Sequence, residues 1–463
     1  MTTSATPGDS AAFLDSGAAT VERPGTPPAQ RPRPSSDGPS YGGGRGGPKP
    51  KFSISTFKSL GDSNYRWFFI SLLGHFAAMN TQMFIRGYLV FQMTGSYAML
   101  GVISLANAIP GLLFSLVGGV IADNVKSKKR VVEMAQATNV VNVAVIAALI
   151  ATQNLAVWHL VIAAVVQGAV MSLMMPSRQV LTSDVVGFDR LMNALALNNA
   201  AMNVTRMGMP ALGGLVFGFV NSGSGIQGGE WIYGMMCAAY FISFAAMIPV
   251  KVPDRAPSAT ARTLKSSLAD LAMGFAYIKR DKTVLMLLCV NFVIVMGSMP
   301  YLQLLPGFVD EVLHAKAGGL GFLMSIQGIG SLVGSLVIAS LPSRNRGRML
   351  MLSSMLLAAS LIFFSASGWF WVTAGVLVVV GVGQAGRMSL SQVLVQTYSE
   401  DEYRGRVQSI YMMEMSLVNV GTFFVGLLAN AVGPQWAIGS TSIAMLVFVI
   451  AIWFMVPKMR NLA

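Results

Sequence analysis

From about residue 66 onward the chain alternates long apolar runs with short polar breaks. The runs cover 67–91, 97–122, 130–151, 155–176, 191–219, 231–250, 283–308, 317–341, 348–366, 369–396, 406–430 and 435–456. Each is long enough to cross a hydrocarbon layer of about 30 Å as a helix, and only helices or closed barrels satisfy every backbone group there. The pattern predicts an all-α membrane protein with twelve transmembrane helices. The longest internal break, 251–282, starts Lys251-Val-Pro-Asp-Arg255 and then changes character. From Leu268 to Ile278 it carries the spacing of an amphipathic helix. Residues 1–60 are rich in Pro, Gly, Ser and Ala, including Tyr41-Gly-Gly-Gly-Arg-Gly-Gly-Pro48. Such a segment buries too little apolar surface to offset its ordering entropy, so it reads as a disordered tail and not as a secretory signal. The expected division is a tail at 1–60, a six-helix bundle at 61–250, a central loop at 251–282, a second bundle at 283–457 and a short tail at 458–463.

Composition removes the soluble alternatives. Of 463 residues, 54% are hydrophobic and 11% charged, against about 25% charged in an average soluble domain. The formal net charge of +13 would suggest a nucleic-acid partner in a soluble chain, but its distribution points elsewhere. With the N-terminus inside, 28 of the 32 Lys and Arg residues fall in segments on one side and only Lys316 on the other. That asymmetry follows the positive-inside rule and places both termini in the cytoplasm. The basic excess therefore reports topology, and no nucleic-acid partner is expected. Cys237 and Cys289 lie in apolar runs and imply no disulfide framework.

The chain also repeats itself. Ser115-Leu-Val-Gly recurs as Ser331-Leu-Val-Gly, offset by 216, and the same offset relates Arg190 to Arg406 and Asn203-Val204 to Asn419-Val420. At 217, Gln167-Gly-Ala-Val-Met-Ser-Leu173 meets Gln384-Ala-Gly-Arg-Met-Ser-Leu390. A shared offset across three helix pairs marks two six-helix halves in the same orientation.

A parallel six-plus-six repeat resembles the major facilitator transporters, whose site lies between the halves. Gly119-Val-Ile-Ala-Asp123 with Lys128 and Arg130 looks like the family's loop 2–3 signature, with Lys126 where a second glycine is usual. Met209-Pro210-Ala-Leu-Gly213-Gly214 resembles the fifth-helix motif of the family's exporters, with Met209 in place of a glycine. Thr56-Phe-Lys-Ser-Leu through Asn64-Tyr-Arg66, Met175-Pro-Ser-Arg-Gln179 with Asn193-Ala-Leu195, and Arg404-Gly-Arg-Val407 resemble the drug:proton antiporter subgroup. That subgroup includes enterobactin exporters and macrolide efflux proteins. The resemblance implies that Gly119, Asp123, Lys128 and Arg130 act in gating, with Asp123 capping the eleventh helix and bridging the halves. It also implies that Pro210, Gly213 and Gly214 seal the halves together.

Ionisable and amide groups inside the spans are the candidates for the transport pathway, because burying them in hydrocarbon is costly. Arg86, toward the end of the first span, either snorkels to the interface or serves a structural role, or meets substrate. Asn199, Asn203, Arg206 and Pro210 recur on one helical face. They form either a polar seam between helices or a cavity wall that takes anionic or carbonyl-bearing groups. Arg387 and Glu414 sit at similar depth on the tenth and eleventh spans, as a structural pair or a proton-responsive one. The family's exporters often carry an acid in the first span, and none stands there here. His75 and His159 read as packing histidines, no metal-ligand constellation is present, and the phosphate-binding G-x-x-x-x-G-K-[ST] pattern is missing.

The expected protein is a monomeric, cell-membrane secondary transporter with no cofactor, metal or catalytic chemistry. It is expected to export a small amphipathic organic molecule such as a drug, siderophore or metabolite by alternating access. The resemblance makes protons the coupling ion. A lipid or lysolipid translocator is the rival within transport, and the 31 methionines would suit either lining. A membrane scaffold or sensor is the rival of another class.

Overall fold

The computed structural model describes residues 59–125, 127–187, 190–220, 228–252, 264–341 and 345–462, without the side chains at a few positions within α2, α7 and α13. The expected N-terminal tail lies outside these up to position 58. Among the described residues the chain is helical throughout, with no strand. The first bundle comprises α1 (Ser63–Thr94), α2 (Tyr97–Asn124), α3 (Lys128–Ala151), α4 (Val157–Val186), α5 (Leu191–Val220) and α6 (Gly229–Met247). The link helix α7 (Leu264–Arg280) leads to α8 (Lys282–Ser298) and α9 (Pro300–Glu311), then α10 (Ala317–Ser340) and α11 (Arg346–Ala366). The chain closes with α12 (Phe370–Tyr398), α13 (Arg404–Val432), α14 (Pro434–Met455) and the short α15 (Pro457–Arg460).

Local chemistry sets the ends of these helices. Asp62 caps α1 by accepting from the Asn64 N–H at 2.8 Å, and Gly95 closes it in the left-handed region at φ 57°. Asp281 accepts from the Thr283 and Val284 N–H groups, so one residue both ends α7 and starts α8. Eleven spans among the described residues are long and apolar enough to cross a membrane, with α8 and α9 counted together as Lys282–Glu311. The twelfth, α5, has the length, but Asn193, Asn198, Asn199, Asn203 and Arg206 dilute its apolar character.

Two details depart from the expected spans. The fourth helix was expected to stop at Pro176, yet α4 continues ten residues further to Val186. Proline removes one backbone bond, and the buried Ser177, Leu181, Thr182 and Val185 hold the next two turns against the bundle. Arg178, which the expected spans leave in the loop after the fourth helix, lies inside α4. Conversely, the seventh span is broken at Met299–Pro300, where Pro300 supplies no N–H and starts α9.

Within each half the helices pack on their sequence neighbours and across the bundle. Between halves, α2 lies along α13, α5 along α10, and α1 meets α9. Because successive spans run antiparallel, one end of the molecule carries the N-terminus of α1, the α2–α3 turn, α7 and the C-terminus. It is termed the basic end below.

Candidate functional site

At the end opposite the basic one, the two halves are joined by polar side chains. Gln92 of α1 donates to Asp310 of α9 at 2.8 Å, and the Tyr97 hydroxyl of α2 donates to Glu311 at 2.8 Å. Asn430 of α13 accepts from the Tyr97 N–H at 2.9 Å and donates to the Ser96 hydroxyl at 3.2 Å. Beneath this layer the backbones touch. A Cβ on Gly321 of α10 would fall 2.3 Å from the Pro210 carbonyl oxygen of α5, and one on Gly101 of α2 would fall 2.7 Å from the Cα of Phe423. Only glycine permits such approach. Gly214 faces Gly318 and Gly321 in the same contact, whereas Gly213 packs on Phe84 within its own half. Pro210 and Gly214 thus stand at the junction of the halves. The α5–α10 contact reaches Met207 and Gly328. Nearer the basic end Val204, Leu332 and Leu336 are exposed.

Just below the seal lies an enclosed cavity of about 50 Å³, bounded by α1 and α2 on one side and α9 and α13 on the other. Its polar lining is Arg86, Ser104, Asn107, Gln303 and Asn419, with no carboxylate among the described residues. Arg86 is half-buried, and its Nη1 has neither solvent contact nor a hydrogen-bond partner among the described residues. Tyr233 and Tyr240 of α6 are the groups within its electrostatic reach. Arg86 lines this cavity between the halves, a position that suits a structural role or substrate contact rather than snorkelling. A partly buried cation with no counter-charge among the described lining is costly, and an incoming anion removes that cost.

The other predicted residues disperse. Asn199 and Asn203 are exposed on α5, Arg206 is half-buried within electrostatic range of Tyr301 on α9, and Pro210 is buried. Their shared face therefore runs from the open basic end to the closed contact with α10. Arg387 is buried in α12, where its Nη1 donates to the Asn291 side-chain oxygen of α8 at 3.2 Å, and Ser391 donates to the same oxygen at 2.8 Å. Gly119 and Asp123 lie in α2 and Glu414 in α13, at positions whose side chains are outside those described. Lys128 is half-buried and Arg130 exposed at the start of α3.

Sequence reasoning did not single out Arg178, which is 4% exposed in α4. Its Nη2 reaches the Ser71 hydroxyl at 3.5 Å, while Nε and Nη1 have no partner among the described residues. His75, fully buried on α1, lies within its electrostatic range and beside Gln136 of α3. Each half therefore buries one arginine of its fourth span against its first span, Arg178 on Ser71 and Arg387 on Asn291. Asp310, Glu311, Gln92, Tyr97 and Asn430, which join the halves, were also not singled out.

Two parallel six-helix halves meeting at α2–α13 and α5–α10, with a polar chamber between them, define a transporter of the major facilitator superfamily. Within it, the chain belongs to the transmembrane secretion effector family, whose model matches residues 54–463. Among curated proteins it is similar to the staphyloferrin A transporter of Staphylococcus aureus (strain NCTC 8325 / PS 47), 21% identical over 78% of this chain and 88% of that one. It is also similar to the enterobactin exporter EntS of Shigella dysenteriae serotype 1 (strain Sd197), 24% identical over 75% of this chain and 80% of that one. Among solved structures, the nucleoside transporter NupG superposes with a TM-score of 0.67 at 12% identity, covering 85% of this chain and all of that one. A bacterial homologue of the lysosomal transporter Spinster, inward-facing and occupied, gives 0.64 at 12% identity, over 86% and 98%. These two likenesses establish the fold alone. The protein is a multi-pass membrane transporter and not an enzyme.

Proposed function

We propose that the protein exports small organic acids of the siderophore type by alternating access, with an anionic group of the cargo held at Arg86. The observation that carries this reading is the Arg86 guanidinium, its Nη1 buried without a partner among the described residues, in a chamber shared by both halves whose described lining has no carboxylate. The curated relatives, named for staphyloferrin A and enterobactin, support siderophores as the cargo class. A chamber of about 50 Å³, with room for only a few waters, suits one carboxylate or phenolate better than an acyl chain. That favours an organic acid over a lipid. The basic end faces the cytoplasm in this reading, with both termini there, so the chamber is closed to the outside by the Asp310–Gln92 and Glu311–Tyr97 contacts. Gating involves the loop 2–3 residues Gly119, Asp123, Lys128 and Arg130. Arg206, with Asn199 and Asn203, lines the path on the cytoplasmic side. Protons are the coupling ion, with Glu414 the candidate acid, and one chain makes the working unit.

The test is uptake of staphyloferrin A and of enterobactin into inside-out vesicles, using the unaltered protein, Arg86→Lys and Arg86→Gln. A siderophore should accumulate with the unaltered protein, Arg86→Lys should keep part of the rate, and Arg86→Gln should lose roughly tenfold or more, the worth of a charge-assisted pair. If neither molecule moves, siderophore export is wrong. If one moves and Arg86→Gln moves it equally well, the assignment of Arg86 is wrong.

A further inference from the structure

A second cavity lies on the flank of the first bundle at the basic end, away from the transport pathway. It is an open cavity of about 740 Å³ between the start of α3 and the segment that follows α6, Ile248 to Val252. Among the described residues three cations, Lys129, Arg130 and Lys251, line it with a single acid, Glu133. The acid is already engaged, 3.4 Å from Lys129. Lys129 is engaged as well, since its Nζ donates to the Ile248 carbonyl at 2.6 Å and ties α3 to the end of α6. The charges left over are those of Arg130 and Lys251, whose side chains have no hydrogen bond or ion pair among the described residues.

The rim carrying Lys251 is held in place. Asn64, from the Asn64-Tyr-Arg66 stretch that the transport reading leaves unused, grips its backbone from both sides. The Asn64 side-chain oxygen accepts from the Lys251 N–H at 2.6 Å, and its Nδ2 donates to the Lys251 carbonyl at 2.6 Å. The ammonium is thereby left out over the cavity on a fixed backbone.

Below the cations the surface is apolar. On α3, Arg130, Met134, Val141 and Val145 follow one helical stripe. Met134 is 71% exposed and Val141 61%, while Phe241 of the adjoining α6 and Ile248 just after it are also exposed. From Arg130 to Val141 the helix rises about 16 Å at 1.5 Å per residue, close to one leaflet of a hydrocarbon core about 30 Å thick. The positive-inside tendency accounts for basic residues at this level, but it does not account for a cavity with two uncommitted cations above an apolar stripe one leaflet long.

We infer that this cavity binds one anionic phospholipid, its phosphate between Arg130 and Lys251 and its acyl chains along the α3 stripe. Such a lipid brings the negative charge that the cavity lacks and covers the apolar surface beneath it.

The experiment is native mass spectrometry of the purified full chain with dioleoyl phosphatidylglycerol, compared with phosphatidylcholine of the same chains and with glycerol 3-phosphate. The variants are Arg130→Gln with Lys251→Gln, and the charge-matched control Lys279→Gln with Arg280→Gln on α7. The unaltered protein should hold phosphatidylglycerol at least ten times more tightly than phosphatidylcholine. The cavity variant should lose about thirtyfold, the worth of two interfacial cations, and the control should lose little. Should the cavity double variant not fold, Lys251→Gln alone should lose about fivefold, because Asn64 holds the Lys251 backbone and not its side chain. Equal losses in cavity and control variants would reduce the effect to bulk charge and overturn the site. So would equal binding of phosphatidylcholine. Displacement of the lipid by glycerol 3-phosphate at the same concentration would mean that a soluble phosphate is the ligand.

Discussion

Gly321→Ala is the sharpest perturbation of the contact between the halves. The added Cβ would lie 2.3 Å from the Pro210 carbonyl oxygen and 3.0 Å from the Gly214 Cα. Neither neighbour is a flexible side-chain tip, so α5 and α10 must separate by about 1 Å to restore ordinary contact. Overpacking of this kind costs about 1–3 kcal/mol. That cost falls only on the state in which the two helices touch at this end. At about 1.4 kcal/mol per factor of ten, the closed state should lose roughly 5- to 100-fold in population relative to the state open there. The control is Gly318→Ala, one turn away, whose Cβ would meet the Gly214 oxygen at an ordinary 3.5 Å. With Cys237 and Cys289 replaced by serine, a cysteine at Gln303 reports on the chamber through labelling by a membrane-impermeant thiol reagent added outside whole cells. Gly321→Ala should label about tenfold faster than the parent, and Gly318→Ala should match the parent. Equal rates for the two alanine variants would refute the idea that the glycine contact closes the chamber.

Further expectations follow from other sites. Gly168→Ala places a Cβ 2.0 Å from the Asn107 carbonyl oxygen inside the first bundle, so thermal unfolding should show a loss of about 1–3 kcal/mol, whereas Gly375→Ala, with open space around it, should gain a few tenths. Asp270→Asn removes the 3.0 Å pair with Arg406 that ties α7 to α13; because both side chains are about one-third exposed, the melting shift should stay below about 1 kcal/mol and fade in high salt. Arg178→Met replaces a buried cation that has no acidic partner among the described residues, so it should raise thermal stability by about 1–4 kcal/mol while slowing transport; lower stability with unaltered transport would contradict this. Glu414→Gln should abolish uptake driven by a pH gradient across inside-out vesicles, and unaltered uptake would remove Glu414 as the coupling acid.

The spans were legible because hydrocarbon allows the backbone only one local solution, and the apolar runs record it directly. Arg178 was misplaced for a local reason as well: Pro176 reads as a helix stop, and only the packing of Leu181, Thr182 and Val185 carries α4 past it. The contacts that join the halves are of another kind, since no local pattern connects Gln92 to Asp310. Yet the chain's own repeat holds a clue to them. In a protein made of two parallel copies, a residue lying on the axis between them meets its own counterpart, one repeat away. Gln92 and Asp310 are 218 residues apart, and Tyr97 and Glu311 are 214 apart, on either side of the 216–217 offset that relates the halves. Arg86 and Gln303 stand at that offset too, and they line the same chamber. The chamber therefore sits on the pseudo-twofold axis, with a cation from one half facing an amide from the other. The repeat contained that juxtaposition. It could not reveal that the first helix places Arg86 on the chamber wall, because the choice between snorkelling and lining a cavity depends on the shape of the surrounding bundle.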